Sequence, residues 1–210
     1  MRVLTMIVLA CSVAALVAGC LPARDGGVQR YHVLEGAGVP AARAKTSRPL
    51  TLLVAPVTAS SFYETQDIVY SRSPGTRAYY QYHAWTERPG RAIGDLLVTR
   101  LERGGAFKAI TRVTSGVQGE LVLSAHLSEF YHDAAADPGN ARVSLTVELV
   151  DPLRRVLVAR HTFSRTEPAA TYDAPGAVQA FNRAVGAVLD DVAAWVDGAA
   201  PRQEETGNRK

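Results

Sequence analysis

The clearest pattern along the chain is a two-residue alternation of apolar and polar positions in its second half. In GELVLSAHLSEFY, Leu121, Leu123, Ala125 and Leu127 fall on every second position. In ARVSLTVELV, Val143, Leu145, Val147 and Leu149 alternate with Arg142, Ser144, Thr146 and Glu148. Alternation of this kind predicts strands with one dry and one wet face, because successive side chains in an extended chain point to opposite sides. The sequence DPLR then turns the chain into Val156–Phe163, a second strand of a hairpin. Earlier, Ile68–Ser71 and Arg77–Trp85 flank Ser73-Pro74-Gly75-Thr76. Pro74 presets φ and Gly75 tolerates positive φ, so a tight hairpin turn is expected there. Shorter strands are expected at Tyr31–Leu34, Leu50–Val57 and Phe107–Ile110.

Two segments switch to helical spacing. Over residues 87–103, Ile93, Leu96, Leu97, Arg100 and Leu101 recur at steps of three and four. Thr86 is the expected cap, Pro89 falls in the first turn, and Gly104-Gly105 ends the helix. Gly90 and Gly94 each cost about 1 kcal/mol of helix propensity, so packing has to hold this segment. The last helix opens at Asp173 with Pro175 in its first turn. Val178, Phe181, Val185, Val188, Leu189, Val192, Trp195 and Val196 make one apolar stripe, with Asp190-Asp191 expected on its outer side. The stripe needs a partner, and the dry face of the sheet supplies it. The expected fold class is therefore α+β: a single largely antiparallel β-sheet with two α-helices packed on one face.

The start of the chain has a different character. Arg2 precedes a nearly uninterrupted apolar run from Val3 to Val17, and small residues follow at Ala18 and Gly19. That order is a secretory signal, too short for the roughly 20 apolar residues of a membrane span. Val17-Ala18-Gly19-Cys20 resembles the bacterial lipobox, in which the cysteine sulfur is acylated and the chain is cut before it. On that resemblance, cleavage falls between Gly19 and Cys20, and Cys20 carries the lipid. Three acyl chains anchor firmly where one is marginal, at about 0.8 kcal/mol per buried methylene. Leu21 favours the outer membrane over retention at the inner one. The expected organisation is a signal over 1–19, a lipidated tether over 20–30, one domain over 31–198 and a disordered tail over 199–210.

Composition narrows the function. Both cysteines, Cys11 and Cys20, belong to the signal and the anchor, so the domain has no thiol for a disulfide, a metal or a nucleophile. The chain carries 23 basic and 20 acidic residues, a net charge of +3 that leaves no basic stripe for nucleic acid. No G-x-S-x-G, P-loop or G-x-G-x-x-G sequence occurs. The nearest approach to a metal set is His126, Glu129, His132 and Asp133. On a regular strand His126 and His132 share a face about 20 Å apart and Glu129 faces the other way, too far for one ion. No metal, cofactor or catalytic residue is expected. The best candidate for a working surface is the aromatic run Tyr79, Tyr80, Tyr82 and Trp85, where Tyr combines an apolar body with a polar tip suited to partner contact. Alternation places Tyr80 and Tyr82 on one face and Tyr79 and Trp85 on the other.

Taken in order, these pieces resemble a family. A short YHVL follows the tether; LLVAPVTASSFYETQDIVYS gives a strand, a linker and an IVY strand; an aromatic strand ends at Trp85; AIGDLLVTRLERGGAFKAI gives a helix, a stop and a short strand. The series resembles the ABC-type transport auxiliary lipoproteins, the PqiC/YmbA group, from Tyr31 to about Trp195. Gly90, Gly94 and the arginine-rich loop at 41–48 depart from it. The resemblance implies a non-catalytic component of a lipid-transport system, in which a permease and ATPase work with MCE-domain proteins that bridge the periplasm. It also implies a role in envelope integrity, with the lipoprotein on the outer-membrane side. Self-association is left open. Two other readings stay open at this point: a lipid-binding or assembly lipoprotein, and a periplasmic hydrolase whose site forms only on folding.

Overall fold

A computed structural model describes residues 28–37 and 47–201. The signal, Gly19, Cys20, most of the tether and residues 202–210 lie outside the described residues. The strands are β1 (Arg30–His32), β2 (Arg48–Val54), β3 (Thr58–Ala59), β4 (Asp67–Ser71), β5 (Ala78–Trp85), β6 (Phe107–Arg112), β7 (Leu121–Asp133), β8 (Asn140–Asp151) and β9 (Val156–Pro168). Two helices, α1 (Pro89–Gly104) and α2 (Ala174–Ala199), complete the domain.

The alternating segments form what their pattern predicts, an antiparallel meander of β7, β8 and β9. Ser73–Thr76 joins β4 to β5 as the expected hairpin. The rest of the sheet differs from expectation. The far edge of β7 is divided among three short strands, all parallel to it: β2 along Leu121–Leu123, β3 along His126–Leu127 and β4 at His132–Asp133. β6 adds in parallel outside β2, and β1 in parallel outside β5. Five of the eight pairings are parallel, so the sheet is mixed and not largely antiparallel. The α+β class itself stands.

α2 lays its stripe on β8 and β9, while α1 packs beside α2 and β6. Phe181 of α2 stacks on Phe130 of β7 with centroids 4.4 Å apart, and Trp85 meets Phe181 edge-on at 5.6 Å. Trp195 is only partly buried, beside Phe163 and His161 of β9. Asp173 caps α2 as its sequence suggests, accepting a 2.8 Å hydrogen bond from the Gly176 amide. The helix runs on through Ala199, and Ala200 is buried against the core. Gly105 ends α1 in the left-handed conformation at φ 66°. Its start differs from expectation, since Arg88 and not Thr86 is the N-cap and no side chain caps it.

The first described segment crosses both helices as a strap. Leu34 enters the core, and the Glu35 and Gly36 amides donate to the Asn182 side-chain oxygen at 2.7 and 3.2 Å. Gly186 makes room for it, because a Cβ at that position would stand 1.6 Å from the Ala37 carbonyl oxygen. Arg100 of α1, 8 % exposed, donates to the Gly36 carbonyl at 3.2 Å and to Asp190 at 2.6 Å. Asp190 and Asp191 are therefore not on the outer side of α2. Asp190 turns toward α1, and Asp191 pairs with Arg165 of β9.

Candidate functional site

β5 carries the aromatic run, and its register against β4 slips. Asp67 stands opposite Ala84, but Val69 stands opposite Tyr79, so β5 accommodates three more residues than β4 over that interval. An odd slip breaks the simple alternation. Tyr79 and Trp85, expected on one face, end in opposite environments. Trp85 is 1 % exposed among Phe130 and Phe181, whereas Tyr79 is 43 % exposed. Burial removes Trp85 from any contact surface. Tyr79 stacks on Phe62 with centroids 4.8 Å apart and planes 10° from parallel, and Tyr82 is also exposed. Phe62 lies in a single 3₁₀ turn (Ser61–Tyr63) between β3 and β4, and its partnership with Tyr79 has no sequence signature. Arg77 borders this surface, 3.6 Å over the Tyr131 ring and donating to the Tyr63 hydroxyl at 3.2 Å, whereas Arg72 stands 5.3 Å over Tyr70, which packs on Tyr80 instead.

Tyr80 points elsewhere. It is half-buried, and its hydroxyl lies 2.7 Å from His132 Nδ1, while His132 Nε2 lies 3.0 Å from the Pro138 carbonyl. A carbonyl only accepts, so Nε2 carries the proton and Nδ1 accepts from the Tyr80 O–H. Burial pushes the Tyr80 hydroxyl up to about 12, with Asp173 adding to the rise, which keeps it a donor. His132 reaches this inner position because β7 has a register shift between Leu127 and Glu129. Leu121, Leu123, Ala125 and Leu127 face the core before it, and Phe130 and His132 after it. The expectation that His126 and His132 share a face fails at this shift. His126 is exposed and meets the Thr58 hydroxyl at 2.9 Å. His32 and His83, isolated in sequence, come together with ring nitrogens 2.9 Å apart. Among the described residues, no group of three His, Cys, Asp or Glu side chains converges as metal ligands would.

The histidines make stability depend on pH. Burial holds His132 below its ordinary pKa of 6.5. His32 is also lowered, by burial first and then by His83 and Arg30. Above about pH 7 both folded and unfolded forms keep these rings neutral, so they add no slope. Below 6.5 the unfolded chain takes the proton first, and stability falls until the folded pKa is passed. For His132 the expected loss approaches at most about 1.4 kcal/mol per pH unit, and the partly solvated His32 contributes less. Urea unfolding between pH 5 and pH 8 (roughly the histidine range) measures it, and His132→Gln should flatten the acid limb.

An open cleft of about 600 Å³ lies at the start of α1, lined by Val57, Tyr63, Gly90, Gly94, Arg91 and Arg112 among others. Close packing at its edge explains one of the two glycines. A Cβ on Gly90 would stand 3.0 Å from the Val57 carbonyl oxygen, so its weak helix propensity is exchanged for close approach of α1 to the 56–59 segment; a Cβ on Gly94 would stand 3.5 Å from the Val57 side chain, an ordinary contact that does not require glycine.

Comparison with solved structures places the fold. A crystal structure of protein XCC0632 from Xanthomonas campestris, described as DUF330, superposes with a TM-score of 0.74 at 21% identity over 81% of this chain and 96% of that one. An uncharacterised protein superposes with a TM-score of 0.62 at 13% identity, covering 80% of this chain and 99% of its own. The hypothetical protein CT253 from Chlamydia trachomatis gives 0.51 at 11% identity, over 72% of this chain and 98% of its own. No curated protein matches. A family profile described as ABC-type transport auxiliary lipoprotein component matches residues 32–193, from the last residue of β1 to the last turns of α2. The chain belongs to the ABC-type transport auxiliary lipoprotein component family.

Proposed function

We propose that this protein is an outer-membrane-anchored periplasmic lipoprotein that serves, without catalysis of its own, as the auxiliary component of an ABC/MCE-type lipid-transport system and so contributes to envelope integrity. The family match over residues 32–193 carries this reading. The mechanism is positional. Acyl chains on Cys20 hold the domain at one leaflet, and the short tether confines it there. Confinement raises its effective concentration for a partner that ends near the same membrane. The strap supports this role from the domain side, because the tether leads directly into β1 and the latch formed by Asn182 and Arg100.

Cys20→Ala tests it. The variant should move from the membrane to the soluble periplasmic fraction and lose complementation of a detergent-sensitive deletion strain. Full complementation by a soluble, unacylated chain would remove tethering from the account. Co-purification of the wild-type protein with a permease, an ATPase and an MCE-domain protein after crosslinking checks the partner assignment separately.

A further inference from the structure

The path by which the chain leaves the domain decides which end faces the membrane. β1 runs parallel to β5, with Arg30 opposite His83 and His32 opposite Trp85. Residues before Arg30 therefore lead back toward Ala78, the end of β5 that joins the β4–β5 turn. Tyr70 pairs with both Ala78 and His132, so the C-terminal end of β7 lies at this same level. The β8–β9 turn lies at the opposite end, where Val122 pairs with Val150 and Asp151 with Val156. Between them β7 runs 13 residues, about 40 Å at the rise of a strand.

Seven residues lie between Cys20 and Val28, so eight chain steps join them. They reach at most about 28 Å when fully extended, and about 15 Å as relaxed coil. With Cys20 anchored, a domain standing upright on its β8–β9 turn would hold Val28 beyond that reach, whereas one standing on the β4–β5 hairpin keeps it within reach. That hairpin bears Tyr79, stacked on Phe62 of the neighbouring 3₁₀ turn, exposed Tyr82, and the Arg77 guanidinium beside Tyr63 and Tyr131. Tyrosine and phenylalanine suit the boundary between headgroups and acyl chains, and arginine suits phosphate.

We infer that Phe62, Tyr79 and Tyr82, with Arg77, form a membrane-interface contact that seats the domain on phospholipid headgroups. This assigns the aromatic face to lipid and leaves the far end, with Leu153 83 % exposed at its turn, directed away from the bilayer. The inference rests on acylation of Cys20 and adds an orientation to it.

The test uses the mature lipoprotein in vesicles of phosphatidylethanolamine and phosphatidylglycerol. With the sulfur of Cys20 acylated, single cysteines at Tyr79→Cys, Tyr82→Cys and Leu153→Cys accept a fluorophore selectively, and lipids bearing a headgroup nitroxide act as quencher. These positions are exposed, so the fold tolerates the labels. Quenching at 79 and 82 should exceed that at 153 several-fold. Equal quenching at all three, or none at 79 and 82 in protein that floats with the vesicles, overturns the orientation alone. Protein that fails to float overturns the anchor, and the orientation with it.

Discussion

Trp85→Ala should cost the domain about 3–5 kcal/mol, the range for removing a large aromatic from a packed core. Trp85 is 1 % exposed and touches both Phe130 and Phe181. Its loss opens a cavity where β5, β7 and α2 meet, and rigid strands on two sides limit collapse into it. Total stabilities of such domains are about 5–15 kcal/mol, so the variant should lose at least about a fifth of its margin. Trp85→Phe should be far milder. It retains most of the aromatic packing and removes an indole Nε1 that finds no hydrogen-bond acceptor. Urea unfolding followed by circular dichroism separates the two, and Trp195 remains as a fluorescence reporter. Similar costs for both substitutions would mean that the indole packs less tightly than its burial indicates.

Arg100→Ala should be nearly as damaging, by about 3 kcal/mol, toward the low end for breaking a buried pair because Asp190 keeps some contact with water. Arg100 joins three segments: α1 carries it, Asp190 of α2 receives it, and the Gly36 carbonyl of the strap receives it as well. Removing it strands a carboxylate between the helices and loosens the strap. Asp190→Asn keeps an acceptor but removes the counter-charge of the more deeply buried guanidinium, and should cost about 2–3 kcal/mol. Amide exchange at Glu35 and Gly36 distinguishes a local from a global effect. In Arg100→Ala those amides should exchange faster than the core strands, since their Asn182 acceptor no longer holds a seated strap. The paired replacement Arg100→Met with Asp190→Leu should recover much of the stability, because matched apolar groups need no desolvated charge.

Local chemistry was legible wherever the structure is local. The alternation over Leu121–Leu127 and Val143–Leu149 gave strands, the Pro74-Gly75 pair gave a hairpin, and Asp173 marked the start of α2. Non-local choices were not legible. Whether β2 pairs in parallel or antiparallel depends on β6 and β7, which follow more than fifty residues later. The same limit hid the inward turn of Asp190, since its partner Arg100 lies on another helix. Facing was lost at register shifts, because a single unpaired residue exchanges the two sides of a strand. The shift in β7 moved His132 inward, and the slip in β5 separated Trp85 from Tyr79. One trace was visible beforehand. The polar pair Ser128-Glu129 interrupts the leucine series, and Phe130 then resumes it out of phase. Gly90 read as a weak helix former because the segment it approaches, around Val57, could not be identified from sequence.

The division of one edge of β7 among β2, β3 and β4 has a consequence for biosynthesis. Those three strands are complete long before residue 121 leaves the ribosome, yet their common partner does not exist until then. A nascent chain of this protein thus spends about a third of its synthesis with the edges that β7 will cover still open. Such edges invite wrong pairings and aggregation. The meander that follows is assembled from neighbours in sequence and can form quickly. Arrival of that late template would convert a loosely held amino-terminal half into a finished sheet in one cooperative step.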